Sequence, residues 1–220
     1  MSSVASTSPK TIKIDIVSDT ACPWCYVGKK RLEKAIASFK ADRPENKDVQ
    51  FAVNWHPYQL DPSLSKTPLP KMDMYVKKFG ASRAPLIRNR MIEVGQEEGI
   101  AFAYNGSIVN TLDSHRLIAF ATKRGKQNEM VDELFRNYFE EDKCGEIPTL
   151  IESAVKVGLD RDEVEQYLKS DQGVAEIQAS IEQAKLEGVN GVPNITIQDR
   201  YVLSGAQEPE TFEQVFNRLT

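Results

Sequence analysis

The chain has 220 residues, 28 basic against 32 acidic for a formal net charge of −4, with 40 % hydrophobic and 27 % charged side chains. This is the mix of a globular protein that can bury one sizeable core, alone or with an inserted lobe. With no basic block and no apolar run near the roughly 20 residues that cross a bilayer, neither nucleic acid nor membrane is an expected partner.

Residues 1–10 are rich in Ser and Thr and carry no apolar segment of a secretory signal, so a short disordered lead-in is expected there. From Thr11 to Val17 the apolar residues Ile12, Ile14 and Ile16 alternate, which predicts a strand. After Cys22-Pro23-Trp24-Cys25 the spacing of Leu32, Ala35, Ile36 and Phe39 predicts a helix that ends before Pro44. Val49, Phe51, Val53 and Trp55 alternate again, and the order strand, helix, strand fits a βαβ unit with parallel strands.

From Asp61 the pattern turns helical, with segments expected at 71–79, 84–98, 112–124, 128–141, 149–157 and 162–169, then 174–186. Ile195 with Ile197 and Tyr201 with Leu203 predict two short strands, joined near Asp199-Arg200 without the usual Gly. Pro209 suits the first position of a last helix carrying Phe212, Val215, Phe216 and Leu219. The domain reading is residues 11–62 with 175–220 as one unit and 63–174 as a helical insertion.

Three cysteines, Cys22, Cys25 and Cys144, are too few for a disulfide framework. The expected compartment is reducing and cytoplasmic, where a close cysteine pair is catalytic or metal-binding. Cys22 falls at the N-cap, Pro23 at the first helical position and Cys25 one turn on, on the same face. Free backbone N–H groups and the positive end of the helix dipole favour thiolate over thiol at such a place. A thiol with a pKa of about 8.5 is roughly 3 % ionised at pH 7, and one of about 6 roughly 90 %. Falling nucleophilicity cancels much of that gain, so the position tunes redox poise more than attack rate. Zinc wants about four ligands, whereas Cys144, His56 and His115 stand isolated in the sequence, so no metal is expected. Two inert cysteines are the other bland reading.

The stretch Ser18-Asp19-Thr20-Ala21-Cys22-Pro23-Trp24-Cys25-Tyr26-Val27-Gly28 resembles the active-site segment of DsbA-like thioredoxin-fold proteins, in particular their FrnE-like branch. Trp55-His56-Pro57-Tyr58-Gln59-Leu60-Asp61-Pro62, Asn110-Thr111-Leu112-Asp113-Ser114-His115-Arg116-Leu117, and Gly188 to Pro193 followed by Ser204-Gly205-Ala206-Gln207 resemble other signatures of that branch. The resemblance implies an α/β, thioredoxin-like fold with a large all-helical domain inserted after the βαβ unit. It also implies a cis peptide bond between Val192 and Pro193 beside the cysteines.

On that resemblance the chain is a thiol–disulfide oxidoreductase in which Cys22 attacks, Cys25 resolves, and Pro23, Trp24, Val192 and Pro193 shape the substrate groove. Asp19 is a candidate for proton transfer, with a plain turn role as the alternative. Substrates would be thiol- or disulfide-containing proteins or small molecules, acted on by a monomer or homodimer. No metal or organic cofactor is required, and glutathione is a candidate reductant or co-substrate. The runner-up is a glutathione-dependent kappa-class-like transferase or isomerase, although those relatives usually carry Ser where this chain has Cys22. Lys29 and Lys30 are read as a solvated helix face, His56 and His115 as packing or surface residues, and Cys144 as a lone loop thiol.

Overall fold

The computed structural model describes residues 10–219, so the lead-in expected at 1–10 lies outside the described residues except for Lys10. β1 (Thr11–Ser18) and β2 (Gln50–Pro57) run parallel in register, Thr11 opposite Gln50 and Ser18 opposite Pro57. They are joined by α1 (Pro23–Asp42) and a 3₁₀ turn at Pro44–Asp48.

A helical segment follows: α2 (Lys71–Phe79), α3 (Ala84–Glu98), α4 (Leu112–Thr122), α5 (Gln127–Phe139), α6 (Ile147–Lys156) and α7 (Arg161–Lys169), then α8 (Val174–Leu186). A two-residue ribbon, β3 (Leu69–Pro70) against β4 (Ser107–Ile108), flanks α2 and α3 and was not anticipated. β5 (Asn194–Ile197) and β6 (Tyr201–Ser204) then complete a mixed sheet in the order β2-β1-β5-β6, with β5 antiparallel to β1. The chain ends on α9 (Pro209–Leu219), which packs against α1. This is a thioredoxin-like α/β fold with a helical insertion between the second strand of its βαβ unit and its closing strands. Among the described residues no helix is long and apolar enough to cross a membrane.

The core follows from the period of each element. Ile12, Ile14 and Ile16 are buried on one side of β1, where Leu32, Ala35 and Phe39 of α1 and Phe212 and Phe216 of α9 meet them. Phe39, Phe51 and Phe216 pack edge to face with ring centroids 5.0–5.9 Å apart. Each such ring contributes about 1.5–3 kcal/mol by leaving water. The insertion shares this core: Tyr26 of α1 stacks on Phe135 and Phe139 of α5 at 5.2 and 5.9 Å.

Polar groups seat the insertion as firmly. Arg116, 1 % exposed, pairs with Asp113 and donates to the carbonyls of Tyr167, Leu168, Ser170 and Gln172 at the end of α7. Carbonyls at and just beyond a helix end lack the full set of intrahelical donors, and one guanidinium here supplies donors to four of them.

Two glutamine side chains complete the sheet. Gln127 accepts from the Trp55 N–H and donates to the Trp55 carbonyl, so its amide acts as a short strand on the outer rim of β2. The Gln198 side-chain oxygen accepts from the Lys13 N–H while the Gln198 backbone N–H donates to the Lys13 carbonyl, and Asp199 forms an ion pair with the Lys13 ammonium. Gln198 and Asp199 hold φ of 52° and 53° in the β5–β6 turn. The left-handed backbone that glycine usually supplies is here held by these side-chain bonds, which explains the turn without Gly.

Candidate active site

α1 begins at the end of β1, and Cys22 is its N-cap residue in an extended conformation, with Pro23 in the first turn. Cys22 N–H donates to the Asp19 carbonyl and Cys25 N–H to the Cys22 carbonyl, each at 3.0 Å, which fixes the two cysteines one turn apart. Both are free thiols, 4 % and 1 % exposed. The Cys22 thiol makes no capping bond and points instead at the Val192 carbonyl, with Sγ 3.6 Å from the oxygen. Beside it the indole of Trp24 is 40 % exposed, the most open apolar group of that turn.

The Val192-Pro193 peptide bond is cis. Pro193 is buried, and its carbonyl accepts from Gly205 N–H at 2.8 Å. A Cβ at Gly28 would stand 3.1 Å from the Pro193 ring and 3.5 Å from Ala206, so a larger residue there would press on the proline loop that α1 approaches. Arg31, on the next turn of α1, donates to the Ala206 carbonyl and pairs with Glu98 at 2.7 Å. Burial alone would raise the Glu98 carboxyl, but hydrogen bonds from Lys34 and Arg31 outweigh it and hold it below the usual range.

Behind the pair lies a polar seam. Burial first, then the neighbouring Cys22 sulfur, push the Cys25 thiol well up, and contacts from the Ser18 side chain and the Asp19 backbone offset this only in part. The Asp19 carboxylate is buried, accepts from Leu60 N–H at 2.8 Å and Ala21 N–H at 3.3 Å, and faces His115 Nε2 at 3.6 Å. His115 Nε2 lies 2.8 Å from the Tyr58 carbonyl, an acceptor only, so this nitrogen carries the hydrogen. Thr20 and Ser114 join hydroxyls at 2.7 Å in the same seam.

A fold this regular invites comparison. The DSBA-like thioredoxin domain matches residues 13–217. The chain belongs to that family. A probable DsbA oxidoreductase from Streptomyces coelicolor is 32 % identical with a TM-score of 0.84, covering 94 % of this chain and 89 % of its own. A cytosolic disulfide reductase, DsbM of Pseudomonas aeruginosa with GSH, has a TM-score of 0.63 at 16 % identity over 94 % of this chain and 98 % of its own, a likeness of fold. The uncharacterised protein YwbO of Bacillus subtilis is 27 % identical over 94 % of this chain and 96 % of its own. Membership gives this DsbA-like chain the general character of a thiol–disulfide oxidoreductase or isomerase, acting on thiol or disulfide substrates.

The structure brings Cys22, Pro23, Trp24, Cys25, Val192 and Pro193 together at one end of α1, with Asp19 directly behind. Other expectations shift. Lys29 is buried between Glu33 and Asp132 and is not a solvated face, because α5 supplies the second carboxylate. Its neighbour Lys30 lies over the Tyr26 ring. His56 is hydrogen-bonded to Asp15 on the other side of the sheet. Cys144 is half-buried in a loop, where burial and then Glu146 raise its thiol to about 11. His115 is the residue that sequence reasoning left among packing positions. Its pairing with Asp19 joins segments far apart in the chain, and only its place in the Asn110–Leu117 signature hinted at it.

Proposed function

We propose that this chain catalyses thiol–disulfide exchange through the Cys22-Pro23-Trp24-Cys25 pair. The observation that carries the reading is Cys22 Sγ beside the Val192 carbonyl at the head of α1, with Cys25 sealed one turn behind it. A thiol there is held beside a main-chain carbonyl at the head of the helix, and its still more deeply buried partner is protected from outside disulfides until a substrate is attached.

The Cys22 thiolate attacks one sulfur of a substrate disulfide, forming a mixed disulfide and releasing the other sulfur as a thiolate. Cys25, as thiolate, then attacks the Cys22 sulfur. The substrate sulfur leaves with the bonding electrons, the Cys22–Cys25 bond forms, and two electrons have passed from the dithiol to the substrate. The reverse sequence oxidises a substrate dithiol. Val192 offers main-chain groups to an extended substrate segment, and Trp24 offers an apolar surface beside it.

The reading includes the FrnE-like branch, supported by the signature stretches at 18–28, 55–62, 110–117 and 188–193. It also includes a cytoplasmic setting with glutathione as the small thiol partner, supported by the likeness in fold to the cytosolic reductase with GSH. Cys25→Ser is the test: a stable mixed disulfide on Cys22 with a protein thiol or glutathione is expected by mass spectrometry. No adduct with any thiol or disulfide partner overturns the proposal.

A further inference from the structure

We propose that the elbow between α2 and α3 docks protein substrates, taking a segment that mixes acidic with apolar residues near the cysteine that Cys22 attacks. The inference rests on the dithiol reading above and adds to it the class of substrate.

From Lys77 to Arg90 the chain carries five basic residues, Lys77, Lys78, Arg83, Arg88 and Arg90, and no acidic one, although its net charge is −4. Broken up by apolar residues, they make no basic block in the sequence, yet folding gathers them on one elbow. Among the described residues only Arg90 of the five has a carboxylate partner, Glu93 at 3.1 Å. Residues 76–83 form an unbroken exposed stretch from the last turn of α2 to the N-cap of α3. Val76 and Phe79 are exposed on it, and Leu86 in the first turn of α3 is 66 % exposed. Exposed apolar side chains set among unpaired cations mark an interaction surface.

The helix ends sharpen its charge. Lys77 and Lys78 suit the last turn of α2, where a helix carries its negative end. Arg83 does not suit the N-cap of α3, and the first turn of that helix holds no acidic residue. The positive end of α3 thus adds to the field of the arginines, and a carboxylate brought from outside meets both.

The elbow also lies beside the redox pair. Tyr75, one turn before Phe79 and 5.6 Å from it between ring centroids, is buried on the inner side of α2. Burial raises its phenol and the Cys22 sulfur adds to the rise, so α2 stands within reach of that sulfur's charge. The Ser63 hydroxyl first, with Lys78 and Lys77 from α2, holds the Asp61 carboxyl below its usual range. The adjoining Leu60 is exposed, and its N–H is bonded to Asp19 behind the cysteines. This neighbourhood favours a polypeptide over nucleic acid or lipid, since a polypeptide brings a cysteine sulfur and acidic side chains together.

The test first measures docking alone, by fluorescence anisotropy of a labelled, cysteine-free peptide of glutamate, leucine and serine with the reduced wild-type chain. A peptide with lysine in place of glutamate is the control. The acidic peptide is expected to bind about tenfold tighter, and salt at about 0.5 M to remove most of the difference. Lys77→Gln, Lys78→Gln and Arg83→Gln together are expected to weaken its binding about tenfold. The same peptides, each carrying a cysteine linked to a coloured aromatic thiol, then report exchange. The triple variant is expected to lose the rate advantage of the acidic peptide and to keep its rate with a small aromatic disulfide. Equal binding of the two peptides, or binding indifferent to salt and to the triple change, overturns the docking surface and leaves dithiol exchange standing. Tighter binding of phosphatidylglycerol vesicles or of single-stranded DNA overturns the polypeptide assignment. A chain that binds the acidic peptide yet reduces no disulfide keeps the surface and removes the dithiol reading.

Discussion

The head of α1 has two sides built on different principles. Outward it meets Trp24, Val192 and Pro193, a surface of ring carbons and one main-chain carbonyl. Inward it meets Asp19, Thr20, Ser114 and His115, all buried, with Thr20 hydrogen-bonded to Ser114, Asp19 to the backbone of Leu60 and His115 to that of Tyr58. A surface that receives chains of varied sequence offers shape and backbone. A seam that holds a reactive pair in register uses hydrogen bonds, because each buried group left unpaired costs about 1–3 kcal/mol. Changes inward are therefore expected to act on stability, and changes outward on substrate handling.

Arg116→Ala is the hardest blow to the inward side. It strips Asp113 of a buried partner and frees the carbonyls that end α7, so a loss of about 3–5 kcal/mol is expected in denaturant unfolding. The alkaline limit comes next. Above about 8.5 the unfolded chain gives up its Cys25 proton, while the folded chain, whose thiol is raised, keeps it. Stability from this group is complete below that pH and lost as pH rises through the folded value, at up to about 1.4 kcal/mol per unit. Melting curves of the reduced protein from neutral to alkaline pH are expected to flatten in Cys25→Ser.

Thr20→Val is milder. The Ser114 hydroxyl already donates to the Thr111 carbonyl, so Thr20 is the donor between the two hydroxyls and one bond worth about 1 kcal/mol is lost. Trp24→Ala is expected to leave stability within about 0.5 kcal/mol. It should raise KM for a protein disulfide several-fold and spare exchange with a small aromatic disulfide. A Trp24 variant that unfolds easily, or a Thr20 variant that alters substrate preference, would break the division between the two sides.

Most of the fold was legible because its elements carry their own period. Ile12, Ile14 and Ile16 announce β1, and the stripe from Leu32 to Phe39 announces α1. The ribbon of β3 and β4 was not legible, since two residues make no alternation and Pro70 argues against a strand. The cysteine pair was plain from its spacing at a helix start. The seam behind it was not, because His115 meets Asp19, and Lys29 meets Asp132, only after the helical insertion folds back on α1. Local pattern reports which face is apolar. It carries no information on which distant carboxylate a buried base will find.

The amide of Gln127 has a consequence for assembly. Because it occupies both main-chain groups of Trp55, an incoming segment cannot zip onto that border without first displacing a side chain from α5. Extension of the sheet by a foreign or sister chain is thereby steered to the opposite border, which β6 forms.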